Sequence, residues 1–577
     1  MPRATRARTC LILAAPDGRS PLCLELSMTN DTNVPSAVLD SAHTGDIHGA
    51  FGTIRQGDVA PRTRTSMRLK TLFAIIGPGL IVMVGDNDAG AFGTYTQAGQ
   101  NYGTRMLWTL ALLIPVIYVN QEMVLRLGAV TGVGHARLIL ERYGRFWGAF
   151  SVIDLFVLNA LTIVTEFIGI SLGLSYLGLP KVPGVIVSAL LVIASVSSGS
   201  FRRFERISMV LVAGSLTLIP IFLALHPPAA QIARDFVVPG MPVGADLSVV
   251  MLLIIAIVGT TVAPWQLFFQ QSYLIDKRIT PRFIRYERVD LWIGIGFVIV
   301  GAAAMMAFSA AAFAGTAGQG HYTDALGVAD GVAAAAGHWA GVLFAIALID
   351  ASIIGAAAVG LSTSYALGDV LGLHHSLHRH PGEAKAFYAI FSGLLIISAV
   401  IVIIPGSPLG LLTEGVQTLA GVLLPSATVF LLLLCNDRGV LGPWVNNRAM
   451  NLFSGVVIAI LVMLSTVLTA SVLFPQISSA QIIAILAGGT TLTVLAGVYL
   501  AWAARHNKDK GKGTDEEADR AQEPALDRTT WRMPPLALLT RPTLSPGRRI
   551  GLSVLRGYLL LASALVVVKV VEIALGH

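Results

Sequence analysis

The sequence predicts an all-α polytopic membrane protein with about 11–13 transmembrane helices. Its 577 residues are 54% hydrophobic and only 13% charged, and the mean hydropathy is +0.72. Soluble domains carry about 25% charged residues. So few charged side chains cannot cover a globule in water. The composition therefore excludes a soluble enzyme and a nucleic-acid-binding protein, although the formal net charge is +7.

Apolar segments of about 20 residues, long enough to cross the hydrocarbon core, recur along the chain. We predict twelve such spans and a thirteenth near the C-terminus, at 71–98, 106–128, 147–177, 182–200, 207–226, 248–274, 290–314, 339–371, 387–405, 416–435, 452–474, 481–503 and 550–575. The predicted regions are a disordered cytoplasmic N-terminal tail (1–66), a transmembrane transport core (67–503), a cytoplasmic linker (504–547) and an extra C-terminal helix (548–577).

Basic residues in the connecting loops predict the orientation, because cytoplasmic loops are enriched in Lys and Arg. With a cytoplasmic N-terminus, three basic residues fall in outer loops and fifteen in inner loops. The outer ones are Arg105, Lys181 and Arg234. The inner ones are Arg137, Arg142, Arg145, Arg202, Arg203, Arg206, Lys277, Arg278, Arg282, Arg285, Arg288, Arg379, Lys385, Arg438 and Arg448. The distribution of basic residues thus predicts the orientation of the protein in a cell membrane, with the N-terminus in the cytoplasm.

Two of the predicted spans contain helix breakers. The first carries Gly77–Gly79 and Gly85, and the sixth carries Gly259 and Pro264. Gly and Pro are common in membrane helices, so one such span alone indicates little. Their offset of five spans, however, is typical of transporters built from two inverted repeats, with the substrate between the broken helices. We therefore predict a five-plus-five inverted repeat.

Two carboxylates lie at the first break. Asp86 and Asp88 stand where unwound backbone frees carbonyl oxygens, and a hard divalent cation prefers such oxygen ligands. One of them could instead cap the helix that follows. At the second break, Thr260 and Thr261 offer hydroxyl and carbonyl oxygens, or their hydroxyls bond the preceding turn.

These residues resemble the natural resistance-associated macrophage protein (NRAMP) family of divalent metal transporters. The shared features of span one are Gly77, Pro78, Gly79, Gly85, Asp88, Phe92, Thr94, Gln97, Ala98 and Gly99. The likeness continues at Leu107 and Trp108, Arg126–Gly128, Thr131 and Gly132, Glu166–Gly169 and the break of span six, and it covers residues 69–474. The resemblance implies a LeuT-like architecture with a metal ion between the unwound parts of helices one and six. The ligand positions that it implies are Asp88, Asp86, Ala91, Thr260, Ala263 and Gln417.

The chain departs from the family at several of these positions. The family's DPGN is DAGA here, which keeps Asp88 and replaces the ligating Asn by Ala91. The family's MPH is APW, so Ala263 removes a thioether ligand and Trp265 removes a histidine linked to proton movement. Loss of sulfur reduces the preference for soft metals. This pattern resembles the branch of NRAMP-related magnesium transporters.

The proton route of the family is also altered. The family has an acidic residue three positions before the glutamate of its EFIG run, where this chain has Ile163. Glu166 remains, and we place it with Trp265 and Glu122 on a possible ion pathway. Glu122 could line the cytoplasmic vestibule or pair with Arg126 one turn later.

Other ionisable residues allow two interpretations. Asp154 and Asp350 lie within apolar spans, and we favour structural roles for both. The histidines between His374 and His380 include an i, i+4 pair that could chelate a soft metal in a helix, but a solvated loop is the simpler interpretation.

The sequence thus predicts a plasma-membrane transporter, not an enzyme, for Mg²⁺ and also Mn²⁺, without proton coupling. No cofactor is expected, because the metal ion is the transported substrate. The expected partners are this metal ion and the lipid bilayer, and no nucleic-acid partner is expected. The alternatives are a proton-coupled Mn²⁺/Fe²⁺ symporter of the same family, a sodium-coupled carrier of organic solutes, and a membrane sensor that kept the fold.

Overall fold

The computed structural model describes residues 38–242, 244–404, 409–474, 477–510, 527–540 and 551–561, together with positions 542, 549 and 564. The chain begins with an antiparallel hairpin of β1 (Ile47–Gly49) and β2 (Gly52–Ile54). The helices before the second break are α1 (Thr65–Ile75), α2 (Pro78–Gly85), α3 (Ala89–Tyr102), α4 (Leu107–Thr131), α5 (His135–Tyr143), α6 (Arg145–Tyr176), α7 (Lys181–Val196), α8 (Phe201–Gly214), α9 (Leu218–Leu225), α10 (Ala229–Val237) and α11 (Leu247–Thr261).

The second half continues the helical pattern to the C-terminal segment. Its helices are α12 (Pro264–Asp276), α13 (Ile284–Phe313), α14 (Ala325–Ala336), α15 (His338–Leu371), α16 (Lys385–Ile403), α17 (Leu409–Cys435), α18 (Arg438–Leu441), α19 (Arg448–Leu473), α20 (Ser479–Lys510) and α21 (Gly551–Leu561). Each predicted apolar span coincides with one of these helices or with a consecutive group of them.

Among the described residues, nine helices are long and apolar enough to cross a membrane, or eleven if each of two sharply bent helix pairs forms one span. One of these pairs is α1 and α2, which meet at 48°. The predicted fourth span, α7, has 16 residues and a length of about 24 Å, which is short for the hydrocarbon core. The all-helical membrane fold is therefore confirmed. The nine to eleven spans among the described residues are fewer than the thirteen predicted because some of the apolar helices are short or bent.

Both predicted helix breaks are present. The first span stops at Gly85 and restarts at Ala89, whereas the sixth stops at Thr261 and restarts at Pro264. Proline can begin a helix because the first helical N–H has no partner in the helix anyway. The interrupted segments are buried, so their free backbone groups face protein and not lipid.

The broken first span is held by α13 through close backbone contacts. A Cβ on Gly79 would lie 2.8 Å from the backbone of Leu291, and a Cβ on Gly99 would lie 2.2 Å from the Met306 carbonyl oxygen. Small residues permit such close helix packing in membranes. The glycines of span one therefore let α2 and α3 pack directly on α13, in addition to marking the break.

Residues 38–66 are ordered, and the prediction of a disordered tail is wrong for this part; residues 1–37 lie outside the described residues. Three arginines at the ends of α8 and α12 bind the hairpin and the turn before it. Arg202 donates to the Gly49 carbonyl over 3.2 Å, Arg206 to that of Ala50 over 3.1 Å, and Arg278 to that of Ala42 over 2.8 Å. These arginines are more than 150 residues away from the groups that they bind, so local sequence patterns cannot reveal the contacts.

Part of the predicted linker also contacts the core. The Met533 amide donates to the Val130 carbonyl oxygen over 3.2 Å, and Trp444 Nε1 donates to the Arg528 carbonyl oxygen over 2.8 Å. Residues 527–540 therefore lie against the inner ends of α4 and α18. Residues 511–526, most of the charged run of the linker, lie outside the described residues.

Candidate metal-binding site

The first break places two carboxylates inside the protein. Asp86 is 1% exposed and Asp88 is 3% exposed. Asp88 is the N-cap of α3, and its Oδ1 accepts a 2.9 Å hydrogen bond from the Ala91 amide. The capping interpretation of the sequence is thus correct for Asp88. The cap uses Oδ1 and does not prevent the carboxylate from binding a cation.

Asp86 is linked to the second broken helix. Its Oδ1 accepts a hydrogen bond from the Gln266 amide, whose own oxygen accepts a 2.9 Å bond from Gln121 Nε2. Asp86 Oδ2 has no hydrogen-bond partner among the described residues. The ring of Trp265 lies beside Gly85, 3.7 Å from where a Cβ would stand. The two breaks therefore face each other, as the inverted-repeat prediction requires.

Glu166 joins the site from α6. Its Oε2 accepts a 3.2 Å hydrogen bond from the amide of Ala89, the residue next to Asp88. Its Oε1 is buried and has no hydrogen-bond partner among the described residues. Ile163, one turn earlier on α6, is fully buried and apolar. Glu166 thus has no acidic neighbour at that position.

The second break supplies oxygens rather than charged side chains. Thr260 Oγ1 is buried and has no hydrogen-bond partner in the described part of the chain. Thr261 donates to the Ile257 carbonyl and contacts the Tyr95 hydroxyl over 2.7 Å. Ala263 is the extended N-cap residue of α12, with φ −76° and ψ 143°. Its methyl group has no donor atom, so only its backbone could contribute to ion binding.

The remaining predicted positions have different surroundings. Ala91 contributes its amide to the cap of Asp88, and the Gln417 side chain lies outside the described residues. Glu122 is 2% exposed and forms ion pairs with Arg126 at 2.9 Å and Arg288 at 2.6 Å. Of the two interpretations given for Glu122, pairing with Arg126 is confirmed. Its place on an ion pathway is not supported, because two guanidinium groups already neutralise it.

The histidines of the 372–384 loop do not form a metal site. His374 is exposed, His375 pairs with Asp369 at 3.1 Å, and His378 Nε2 contacts the Asp276 carbonyl at 3.0 Å. The described residues contain no group of three or more His, Cys, Asp or Glu side chains arranged to hold a metal ion. The solvated interpretation therefore holds for the exposed His374 and His380, whereas His375 and His378 are held by contacts within the protein.

Sequence reasoning missed two site residues, Gln121 and Gln266. Both glutamines lie in sequence runs that stood out, 121–123 and 263–272. Their spacing along the chain, however, does not show that Gln266 reaches Asp86 or that Gln121 reaches Gln266. Amide oxygens are ligands for hard cations, and amide nitrogens hold a carboxylate in place. Both glutamines therefore belong to the candidate site.

A narrow space adjoins the first break. A cavity of about 30 Å³ lies beside Ala89 and is lined by residues including Thr165, Tyr322 and Asp324. This space is comparable to one or two water positions. A divalent ion that keeps several of its own waters does not fit in this cavity.

Two helices broken at mid-membrane, with buried carboxylates between them, define a secondary transporter of the inverted-repeat class. The chain belongs to the natural resistance-associated macrophage protein-like family, whose model matches residues 79–471. This confirms the resemblance to the NRAMP family.

Relatives and solved structures agree with this assignment. The divalent metal cation transporter MntH of Erwinia tasmaniensis is 26% identical over 70% of this chain and 95% of its own length. The protein of the same name from Deinococcus radiodurans is also 26% identical, over 75% and 98% respectively. The manganese transporter of Eremococcus coleocola, solved with an aromatic bis-isothiourea compound, has a TM-score of 0.58 at 20% identity and covers 78% of this chain and 98% of its own. The LeuT-like fold is thereby confirmed.

Proposed function

We propose that this protein transports divalent cations, with Mg²⁺ as the main substrate and Mn²⁺ as a second one. The observation that carries the proposal is the pair of buried carboxylates, Asp86 and Asp88, at the break that faces Gln266. The relatives with the name divalent metal cation transporter, which match most of this chain, support the general class.

The ligand chemistry favours a hard cation. Carboxylate, amide and backbone oxygens suit Mg²⁺ and Mn²⁺, whereas a thioether selects softer metals. Where the family carries methionine, this chain has Ala263, and its small side chain leaves room for water. Mg²⁺ keeps several of its own waters and is usually held by one or two carboxylates. Asp88 and Asp86 with the backbone near Thr260 and Ala263 match that requirement, and we place Gln417 in the same site.

We also propose that proton flux does not drive this transport. Ile163 and Trp265 replace the acidic and histidine positions of the family, so neither position offers a titratable group that could carry a proton away from Asp88 or Glu166. The membrane potential alone can drive uptake, since a divalent ion gains about 4–5 kcal/mol at 100 mV. The predicted cytoplasmic N-terminus and plasma-membrane location fit inward transport.

One observation favours a second candidate, a proton-coupled Mn²⁺/Fe²⁺ symporter. Glu166 accepts a hydrogen bond from the amide of Ala89 next to Asp88, so two buried carboxyl groups stand at the same break, and a proton held by either one would compete with a bound metal ion. Coupling follows only if that proton then leaves to one defined side of the membrane. The two candidates therefore differ in whether proton movement accompanies metal uptake.

Uptake into proteoliposomes tests the proposal. We expect Mg²⁺ and Mn²⁺ influx that rises with an inside-negative potential, persists without a pH gradient and leaves the internal pH unchanged. Asp88→Ala should abolish uptake, while Asp154→Asn, an equally intramembrane carboxylate on α6, serves as the matched control. Absence of Mg²⁺ flux would exclude the magnesium assignment, and acidification that tracks metal influx would favour the symporter.

A further inference from the structure

A second cavity lies beside the transport site. Its volume is about 620 Å³, and it lies between α2, α9, α13 and α15. Its rim includes Leu216, Ile219 and Val300, which are 46%, 50% and 68% exposed. Exposed aliphatic side chains on spans five and seven face lipid in a membrane protein. The cavity therefore opens sideways to the hydrocarbon core.

One carboxylate stands in this cavity. Asp350 of α15 lies against Gly214, where an added Cβ would be 2.5 Å from Asp350 Oδ1. The span bends there, because a 3-10 turn at Ser215–Thr217 separates α8 from α9. Within the part of the chain that the structure describes, no basic side chain pairs with Asp350. An unpaired carboxylate at this depth is costly and marks a functional site by default.

The rest of the lining is suited to an organic cation. Phe222, Trp292 and Phe297 line the same cavity, and aromatic faces attract cations, with Trp the strongest. A hard metal ion needs about six oxygen ligands, which Asp350, Asn87 and Ser215 cannot supply. A neutral lipid chain would fill the volume but would offer the Asp350 carboxyl group neither a hydrogen bond nor an opposite charge.

We propose that this cavity binds a lipophilic organic cation, with aromatic or aliphatic groups against Phe222, Trp292 and Phe297 and the positive charge beside Asp350. The ligand reaches the site through the bilayer, since the rim faces lipid. Asn87, which stands between Asp86 and Asp88 in the unwound segment, also lines the cavity. A ligand bound there contacts the break of the first span on the side of α13, where Asn87 donates to the Val298 carbonyl oxygen.

Binding of radiolabelled tetraphenylphosphonium to the full chain in lipid nanodiscs tests this proposal. Tetraphenylborate, an anion of nearly the same shape, controls for general partition into the apolar cavity. We expect saturable binding of the cation only, and about tenfold weaker binding in Asp350→Asn, which corresponds to ~1.4 kcal/mol. Asp154→Asn should bind as the wild type does, because Asp154 does not line this cavity.

A second variant keeps the proposal testable if Asp350→Asn does not fold. A Cβ added at Gly296 meets no atom within 4 Å, so Gly296→Phe should fill the cavity without strain and prevent cation binding. Equal cation binding in the wild type and in both variants would overturn the proposal. Saturable binding of tetraphenylborate would overturn it as well. Neither result depends on metal transport, so the proposed function is tested separately.

Discussion

A few side chains at the two breaks decide what the site can bind. Asp88 caps α3, while Asp86 is held by Gln266 from the other broken helix. Ala263 supplies no donor atom at the N-cap of α12. The site therefore offers oxygen ligands and carboxylate charge but lacks the thioether of its family.

A methionine at position 263 should increase the preference of the site for soft metals. We expect Ala263→Met to raise Cd²⁺ uptake relative to Mg²⁺ uptake by about tenfold, equivalent to ~1.4 kcal/mol of added discrimination. The measurement is a competition series of Mg²⁺, Mn²⁺ and Cd²⁺ in proteoliposomes. Ala263→Leu has a similar volume without sulfur and should not favour Cd²⁺. The same shift in both variants would mean that size, not the thioether, sets the selectivity.

At the scale of elements, one buried ion pair connects the inner ends of several helices and the hairpin. Glu205 of α8 pairs with Lys277 at 2.6 Å and accepts the Ala50 amide of the hairpin. Lys277 also donates to the carbonyls of Ile75 and Ile76, where α1 bends into α2. A glycine is needed beside this pair, since Gly77 has φ +154° and a Cβ there would be 2.2 Å from Glu205.

Breaking one half of this pair should destabilise the protein strongly. Both side chains are fully buried, and removal of one partner from such a pair costs about 3–5 kcal/mol. We expect Lys277→Met and Glu205→Gln each to lower the thermal unfolding midpoint in detergent, and the double variant to regain part of the loss. The half-buried pair Arg137–Glu141 is the control, and Glu141→Gln should cost only ~0–1 kcal/mol because water still reaches this pair. Additive losses in the double variant would contradict the coupling.

The segment before the hairpin should dock in a pH-dependent manner. Burial opposes the charge on His375, but the Asp369 carboxylate and the Leu373 carbonyl outweigh it and raise the pKa of His375 to about 9. Burial also opposes the charge on Asp40, but hydrogen bonds from Arg379 and from two backbone amides hold the pKa of Asp40 well below its usual value of 3.8.

The raised pKa of His375 adds stability that is complete below its ordinary value of 6.5 and is lost as pH rises towards about 9. The lowered pKa of Asp40 adds stability above 3.8 that is lost as pH falls below it. Burial lowers the pKa of His43, His48 and His378, so the folded segment loses stability as pH falls below 6.5, and none of the three explains an alkaline change. We therefore expect the hydrogen-exchange protection factors of residues 38–60 to be highest near pH 6.5 and to fall on both sides. His375→Gln should remove the loss of protection above pH 6.5. If the variant still loses protection in that range, His375 is not the group responsible.

At the scale of the whole molecule, the scarce charges predict the orientation. The basic residues of the predicted inner loops include Arg202, Arg206 and Arg278, which also bind the hairpin. The same arginines thus carry the topological signal and hold the N-terminal segment against the core. The segment lies at the end of the molecule where the positive-inside rule places the cytoplasm.

Site-directed labelling tests this orientation. In a background with Cys10 and Cys23 replaced by serine, we expect Arg234→Cys to react with an impermeant maleimide added to intact cells. Arg203→Cys should react only after permeabilisation, and Cys435 is buried and should remain unlabelled. Reaction of Arg203→Cys in intact cells would reverse the proposed topology.

Much of the fold followed from local patterns. Helical spans can be located by length and hydropathy, and both breaks were found from Gly85, Gly259 and Pro264 because these residues act on their own backbone. Asp86 and Asp88 were identifiable because charge is rare in such spans. Gln266 and Gln121 were not identified as partners of Asp86, since an amide in a helix gives no sign of which distant group it meets.

The sequence by itself determined the membrane class, the broken spans and the two carboxylates, because hydropathy, helix breaking and charge are properties of single residues and their neighbours. Only the tertiary structure decided that Glu122 is neutralised by Arg126 and Arg288, and that residues 38–66 are ordered. It also placed Asp350 in a lipid-facing cavity. These outcomes depend on contacts between residues far apart in the chain, whose energies arise only after the helices have packed.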